Sequence, residues 1–243
     1  MKKIIKSLVR SVGFDVIRYL PSLSATAQLR QIFLNQSFDV VIDVGANKGN
    51  YVKDLRGIGY RDIIIAFEPQ SSAYIELQKI ANKDRKLILP PRMALGDRNG
   101  EITLNISANS ESSSVVSMLG SHLKAAPDSV CIGTEVVPVR RLDAVLLDYL
   151  PSQSKSIYMK IDVQGFERQV LVGAEGILPL VKGIQLELSL TPLYKGELSI
   201  SEMINQMHAT GFNIYAILPA FTENSTGRAY QMDGIFIRED ALS

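Results

Sequence analysis

The sequence has no tryptophan and, among its 243 residues, only one cysteine and two histidines. A single cysteine excludes an intrachain disulfide and fits a reducing compartment, so we expect a cytoplasmic protein. The formal net charge is +1, and no basic stripe with interleaved aromatic residues is present. Because nucleic-acid binding depends on such positive charge, we expect no nucleic-acid partner.

Long uninterrupted apolar runs are missing as well, and the N-terminus illustrates this. In residues 1–19, the apolar positions between Ile4 and Val12 fall on one helical face, and basic residues fall largely on the other. Basic residues interrupt the apolar positions too often for a transmembrane helix, which needs about 20 apolar residues, or for a signal peptide. The favoured interpretation is a helix packed on the core of the domain or on a partner chain. A peripheral contact with an anionic membrane surface through residues 1–19 is the alternative.

The rest of the chain has no segment of linker composition between residues 37 and 240. Its residues are 46% hydrophobic, which is enough for a large core. We therefore predict a helical extension over residues 1–37 and one domain over residues 38–243.

Strand and helix patterns alternate along this domain. The predicted strands cover residues 38–44, 62–67, 87–95, 101–106, 156–163, 183–190, 212–218 and 234–238. The predicted helices cover residues 50–58, 71–82, 142–149, 167–181 and 199–209. The alternation predicts an α/β fold with a doubly wound, mainly parallel sheet. The last two strands have no helix between them, so we expect them to pair antiparallel.

Two long polar segments, residues 107–134 and 219–232, interrupt the pattern and predict loops that form an acceptor pocket. His122 lies in the first loop, where it is either solvated or a weak candidate for a base. Cys131 is predicted to be a small buried residue. His208 lies in the last predicted helix and is interpreted as structural.

A glycine turn follows the first predicted strand. Gly45 and Gly49 stand where that strand gives way to a helix. Glycine permits a tight turn there and lets backbone N–H groups approach a ligand. The helix N-terminus that follows favours an anionic group, here a carboxylate. The spacing is G-x-x-x-G rather than the G-x-G-x-x-G of dinucleotide-binding proteins, and alone it is a weak signal.

Acidic residues end two further predicted strands. Glu68 lies 25 residues after Asp43, a position from which a carboxylate accepts the hydroxyls of a ribose. Asp162 follows a buried strand, where an unpaired charge is costly. It either orients a ligand or pairs with Lys160. Glu187 and Asp233 with Asp162 form an alternative Mg²⁺ set, but their spacing is not a motif, so we predict no metal site.

Five segments resemble the FkbM family of methyltransferases, in the family's order and over residues 38–238. They are Asp43 to Gly49, Phe67 to Pro69, Ala94 to Asp97, Val139 to Asp143, and Lys160 to Glu167. The resemblance implies a class I methyltransferase fold, which is Rossmann-like, with S-adenosylmethionine as cofactor. It also implies O-methylation of a sugar or natural-product hydroxyl, hence a small-molecule or glycan acceptor.

The resemblance also implies roles for residues by position. Asp43, Gly45 and Asn47 would line the methionine end of the cofactor, at the turn that closes with Gly49. Glu68, followed by Pro69, would bind the ribose, and Met93 and Ala94 would lie beside the adenine. Asp162 would face the transfer site as the catalytic residue. The family commonly has glutamate where this chain has Gln164, and a neutral amide binds a divalent metal more weakly and cannot act as a base.

Two other functions share parts of this pattern. A nicotinamide-dependent oxidoreductase has the same strand, glycine turn, helix and acidic residue, but the turn spacing and the final strand pair count against it. A catalytically degenerate cofactor-binding module is supported only by Gln164. Methyl transfer is the function that accounts for the most residues.

Overall fold

The structure is a computed structural model that describes residues 2–152 and 154–241, with side chains from Lys6 onwards apart from residue 240. Met1 and the side chains of Ile4 and Ile5 lie outside that part. The helices are α1 (Lys2–Ser11), α2 (Ala25–Gln36), α3 (Asn50–Ile58), α4 (Ser71–Ala81), α5 (Gly120–Ala125), α6 (Leu142–Val145), α7 (Glu167–Gly173) and α8 (Ile200–Ala209). In the described residues, no helix is long and apolar enough to cross a membrane.

Seven strands form the main sheet. They are β1 (Val40–Val44), β2 (Ile63–Phe67), β3 (Leu87–Ile88), β7 (Ile157–Ile161), β8 (Val181–Ser189), β9 (Phe212–Pro219) and β10 (Gln231–Arg238). Their order is β3-β2-β1-β7-β8-β10-β9. All neighbours are parallel except β10, which runs antiparallel to β8 and β9. The predicted doubly wound sheet and its antiparallel C-terminal pair are thus confirmed.

A second, three-stranded sheet contains β4 (Ala94–Leu95), β5 (Gly100–Ser107) and β6 (Cys131–Arg140), in the order β4-β6-β5. The predicted continuous strand over residues 87–95 is wrong, because Pro90 and Pro91 separate two short strands that belong to different sheets. The predicted loop over residues 107–134 is also wrong in part, since it contains α5 and the start of β6. Five of the ten residues of β6 are exposed, and its first half lacks the apolar alternation that marks a half-buried strand.

Two helices differ in how their first turns are capped. Ser199, at which the predicted helix begins, caps α8 in a capping box with Glu202. The N-cap of α4 is instead Gln70, and no side chain caps that helix. Ser71 donates its hydroxyl to Glu135 of β6 over 2.6 Å, so the second sheet holds the start of α4. The predicted helix over residues 167–181 is shorter, because α7 ends at Gly173.

The two faces of the main sheet have different cores. On one face, which we call the apolar face, residues such as Ile42, Met159 and Leu186 form one large buried cluster. The opposite face, which we call the mixed face, begins with apolar residues against α2, α3 and α4. Towards the carboxyl ends of its strands, the mixed face turns polar, with Asp43, Lys160, Gln185 and Glu187.

The N-terminal extension divides into two parts. The side chains of Ala27, Leu29, Ile32 and Phe33 in α2 are buried, and Phe33 packs on Tyr158 of the sheet with ring centroids 4.9 Å apart. α2 therefore packs as part of the domain, although it precedes residue 38. The described side chains of residues 6–23 are exposed except for Val9, which is half-buried. They do not pack into the core of the domain.

Candidate active site

The glycine turn places the ends of β1 and β7 in close contact. Gly45 has φ 81°, and a Cβ added to it would lie 1.9 Å from the carbonyl oxygen of Asp162. Only glycine fits both the backbone conformation and this approach. Gly49 also has a positive φ, of 76°, but its missing Cβ leaves room for Leu77 and Ile80 of α4. Gly45 thus shapes the cleft, and Gly49 permits helix packing.

Glu68 at the end of β2 connects this turn to α4. It is 5% exposed, and its two carboxylate oxygens accept the backbone N–H groups of Asn47 and Gln70, each over 2.7 Å. Burial raises the pKa of Glu68 to about 7, against the effect of these two bonds. Glu68 therefore fixes the turn and still lines the cleft.

Asp43 lies on the mixed face of β1, two residues before Gly45. It is completely buried, and neither carboxylate oxygen has a hydrogen-bond partner among the described residues. Burial raises the pKa of Asp43 to about 6, while the charge of Lys160 opposes the shift. A buried carboxyl without a partner is costly, so Asp43 is a polar group available to a ligand or water beneath the turn.

A network of amides and carboxylates follows β7. Lys160 Nζ donates to Asp162 Oδ2 over 2.9 Å. The Gln164 amide nitrogen donates to Asp162 Oδ1 over 2.9 Å and to Glu187 Oε2 over 2.7 Å. Tyr194 donates its hydroxyl to the amide oxygen of Gln164 over 2.6 Å. We call Asp162 and Glu187 the carboxylate pair, and the amide of Gln164 bridges it.

The two members of the carboxylate pair differ in charge preference. Burial works against ionised Asp162, but the Lys160 charge and its hydrogen bond outweigh burial and lower the pKa of Asp162. Burial and the Asp162 charge both raise the pKa of Glu187 well above its usual value. The arrangement therefore favours ionised Asp162 and makes Glu187, once ionised, the stronger base of the two.

Two cavities meet at this network. The first, which we call the narrow slot, has a volume of about 50 Å³ and is lined by Phe67, Glu68, Pro69, Met93 and Ala94, with Leu104 and Val115 from the second sheet and its loop. The second, which we call the polar cavity, has a volume of about 390 Å³ and is lined by Tyr51, Asn109, His122, Glu187, Phe221 and Gln231. Both include Gly45, Asn47, Asp162 and Gln164 in their walls, so the two cavities adjoin at these residues, and we call them together the cleft.

Most of the residues predicted from sequence line this cleft. Gly45, Asn47, Glu68, Pro69, Met93, Ala94 and Asp162 line the narrow slot. Asp43 lies buried beside it rather than in its wall, and Gly49 packs against α4. The pairing of Asp162 with Lys160, one of the interpretations left open by the sequence, is present.

Three minor predictions differ from the structure. His122 is 3% exposed and accepts or donates a hydrogen bond with Ser129 over 3.1 Å, so it is not solvated. Cys131 is exposed instead of buried. His208 is also exposed, on the outer side of α8, and does not contribute to the core.

The alternative metal set is not assembled. Asp162 and Glu187 come together, but Asp233 lines a separate cavity with Gln185. Within residues 2–152 and 154–241, no group of three or more acidic, histidine or cysteine residues is arranged to hold a metal ion.

Several residues of the cleft were not found from sequence. Phe221 and Gln231 line the polar cavity, and Tyr194 contacts Gln164 in its wall through a hydrogen bond. Tyr194 and Phe221 lie in the segments after β8 and before β10, and Gln231 is the first residue of β10. None follows a predicted strand at a recognisable spacing, and only the pairing of β8 with β10 brings Gln231 to Glu187. The left-handed backbone of Gln164, with φ 57°, directs its amide into the network, next to Gly165.

The family of the chain follows from a comparison of its sequence with models of known protein families. The family model of the methyltransferase FkbM domain matches residues 43–214. The chain belongs to the FkbM methyltransferase family. The match includes the glycine turn, Glu68 and the carboxylate pair, and it favours methyl transfer over the hydride transfer of an oxidoreductase. Together with the strand order of the main sheet, the family match shows that this methyltransferase has a class I fold.

Comparison with curated proteins finds no match. Among solved structures, the chain is similar to an rRNA methylase from Streptococcus thermophilus, with 10% identity over 88% of this chain and 97% of that chain and a TM-score of 0.45. It is similar to the glycopeptide N-methyltransferase MtfA, solved with S-adenosylmethionine, with 11% identity over 88% and 86% and a TM-score of 0.45. It is also similar to the mitomycin 7-O-methyltransferase MmcR, with 11% identity over 88% and 54% and a TM-score of 0.45.

Proposed function

We propose that this FkbM methyltransferase uses S-adenosylmethionine to methylate a hydroxyl group of a sugar or natural product. The observation that carries the proposal is the pair of adjoining cavities, the narrow slot and the polar cavity, which share Gly45 and Asp162 in their walls. A methyl donor in the slot and an acceptor in the cavity would meet at these two residues. Alignment of donor and acceptor is the main contribution that a protein makes to such a transfer.

The residues of the slot fit this cofactor. Glu68 offers carboxylate oxygens at a position suited to ribose hydroxyls, and Met93 and Ala94 supply a buried apolar wall for an adenine ring. The carboxyl of Asp43, which has no hydrogen-bond partner among the described residues, and the close backbone at Gly45 would face the methionine end. When bound, the cofactor supplies an activated methyl group on a sulfonium.

Calorimetric titration with S-adenosylmethionine and S-adenosylhomocysteine tests this assignment. The protein should bind both, and Glu68→Gln should weaken binding by roughly 10-fold to 100-fold, because hydrogen bonds to a charged group contribute about 1.5–3 kcal/mol. The matched control is Glu76→Gln on the exposed side of α4, which should bind normally. Absence of binding by the unmodified protein would contradict the proposal.

The polar cavity suits a hydroxylated acceptor. Its wall offers amide, carboxylate and hydroxyl groups together with Phe221, which stacks on His122 with ring centroids 5.9 Å apart. Many hydrogen-bonding groups around an aromatic ring suit a molecule with several hydroxyls. Formation of S-adenosylhomocysteine should be measured with a panel of monosaccharides and glycosides. Phe221→Ala should raise KM for the active acceptor more than it lowers kcat.

Asp162 is proposed to position the acceptor hydroxyl, and Glu187 to take its proton. The Lys160 ammonium holds Asp162 ionised and makes it a weak base, whereas Glu187 lines the polar cavity with a raised pKa. With cofactor and acceptor bound, the Glu187 carboxylate would take the hydroxyl proton as the acceptor oxygen receives the methyl group. Asp162→Asn should reduce turnover without removing the rise in kcat/KM with pH. Unchanged turnover would rule out the role of Asp162.

A further inference from the structure

Residues 8–23 expose large apolar side chains at high density. They contribute eight of the twenty large apolar side chains that are exposed in the described part of the chain, namely Leu8, Val12, Phe14, Val16, Ile17, Tyr19, Leu20 and Leu23. Val12 and Phe14 are 70% and 71% exposed. Exposed apolar surface that is contiguous, rather than scattered, marks an interaction site.

The charge of this segment is opposite to that of the domain. Residues 1–23 contain five basic residues, Lys2, Lys3, Lys6, Arg10 and Arg18, and one acidic residue, Asp15. Subtracting these from the totals of 26 and 25 leaves 21 basic and 24 acidic residues for the rest of the chain. The segment therefore carries a net charge of +4, and the remaining chain carries −3.

We propose that residues 1–23 bind the surface of a bilayer that contains anionic lipids. Apolar side chains beside basic ones are the combination that enters the headgroup boundary while it attracts negative lipids. The net negative domain is repelled by the same surface, so the contact is confined to the extension. Because no helix in the described residues is suited to span a membrane, the contact is peripheral.

The segment leaves the domain beside the polar cavity. Tyr19 lines a third cavity together with Tyr51 and Lys160, and these two residues also line the polar cavity. Binding to a bilayer would therefore hold the acceptor end of the cleft next to the membrane surface. The membrane proposal itself does not depend on the proposed methyl transfer.

Flotation of the full chain with vesicles tests the proposal. The protein should float with vesicles of phosphatidylcholine and phosphatidylglycerol at low ionic strength, and raising the salt should release it because exposed charges are screened. It should bind vesicles of phosphatidylcholine alone at least about a hundredfold less, because the attraction of a net charge of +4 is lost. The double variant Lys6→Glu, Arg18→Glu should lose at least about 25-fold in binding, at about a fivefold loss for each of the two basic charges.

Two matched variants separate the segment from general surface hydrophobicity. Val12→Ser with Phe14→Ser should lose at least about tenfold in vesicle binding, with no change in thermal unfolding, because both side chains are exposed. Leu147→Ser removes a side chain that is 67% exposed elsewhere and should bind vesicles normally. An equal loss in Leu147→Ser would overturn the proposal. So would a Phe14-dependent dimer, seen by light scattering, in a protein that never floats.

Discussion

The two faces of the main sheet bury different kinds of side chain, and two consecutive residues of β8 show the difference. Leu186 points to the apolar face and is completely buried in a continuous hydrophobic cluster. Glu187 points to the mixed face, where it contacts Gln164 and Gln231 through hydrogen bonds. The apolar face gains stability from burial, whereas the mixed face holds carboxyls whose burial costs stability. The polar groups of the cleft come from the mixed face, whereas the apolar face keeps the sheet beneath them rigid.

The largest expected effect comes from removing the proposed proton acceptor on the mixed face. Glu187→Gln keeps the size of the side chain but cannot take a proton, so kcat should fall about 100-fold to 10,000-fold. The rise of kcat/KM with pH, which reflects deprotonation of Glu187, should disappear. Steady-state kinetics across pH measures both, and cofactor binding by calorimetry serves as the control for folding. A variant that keeps the full rate would remove Glu187 from the mechanism.

The neighbouring substitution tests the apolar face. Leu186→Ala deletes buried methyl groups and leaves a cavity, so the free energy of unfolding should fall by about 2–5 kcal/mol. Chemical denaturation measures this change. The kcat of the folded fraction should stay near its original value, since Leu186 points away from the cleft. If kcat fell as far as in Glu187→Gln, the separation between the two faces would be wrong.

A third substitution should stabilise the protein. The pKa of Asp43 is about 6 in the folded chain against an ordinary 3.8. The folded state therefore binds more protons between these pH values, and stability falls as the pH rises. Asp43→Asn removes this dependence and should be more stable at pH 7 by roughly 1–3 kcal/mol.

Denaturation at several pH values between about 4 and 7 tests the Asp43 prediction. Asp54→Asn, at an exposed carboxylate of α3, is the matched control and should change little. Affinity for S-adenosylmethionine should fall in Asp43→Asn, because the carboxyl is proposed to serve the ligand. A less stable variant would show that a partner for Asp43 exists in solution.

The smallest expected effect concerns the amide that bridges the carboxylate pair. Gln164→Glu brings a third carboxylate towards Asp162 and Glu187, a set of hard oxygen ligands that suits Mg²⁺. Thermal unfolding should show that added MgCl₂ stabilises this variant by about 1 kcal/mol and leaves the unmodified protein unchanged. Gln31→Glu, on the exposed side of α2, should not respond. Equal stabilisation of all three proteins would mean that the amide does not decide metal binding.

Local sequence patterns predicted the helix bounds and strand ends whose positions depend on neighbouring residues in the chain. The bounds of α3 agree residue for residue, because glycines flank a regular apolar spacing. Gly45 and Glu68 were found because each directly follows a buried strand. β6 was missed because half of its residues are exposed and because it pairs with β5 across a long intervening segment.

The network of the site was beyond a single sequence for a related reason. Gln164 and Glu187 are 23 residues apart, and Gln231 is 44 residues from Glu187. Their contacts depend on the register of β7, β8 and β10, which no local pattern specifies. The sequence indicated that Asp162 has two interpretations, and the structure contains the ion pair with Lys160 that one of them requires.

The position of β10 has a consequence for protein synthesis. β10 lies between β8 and β9, although the chain makes it after both. While a nascent chain leaves the ribosome, β8 presents an unpaired edge, and β9 has no strand beside it. A chain stalled between β9 and β10 therefore exposes open edges of the kind that recruit other strands. Because β9 pairs only with β10, it can join the sheet only after β10 has been made, so the strands do not assemble in the order of translation. The demand for chaperones should therefore be highest just before β10 emerges.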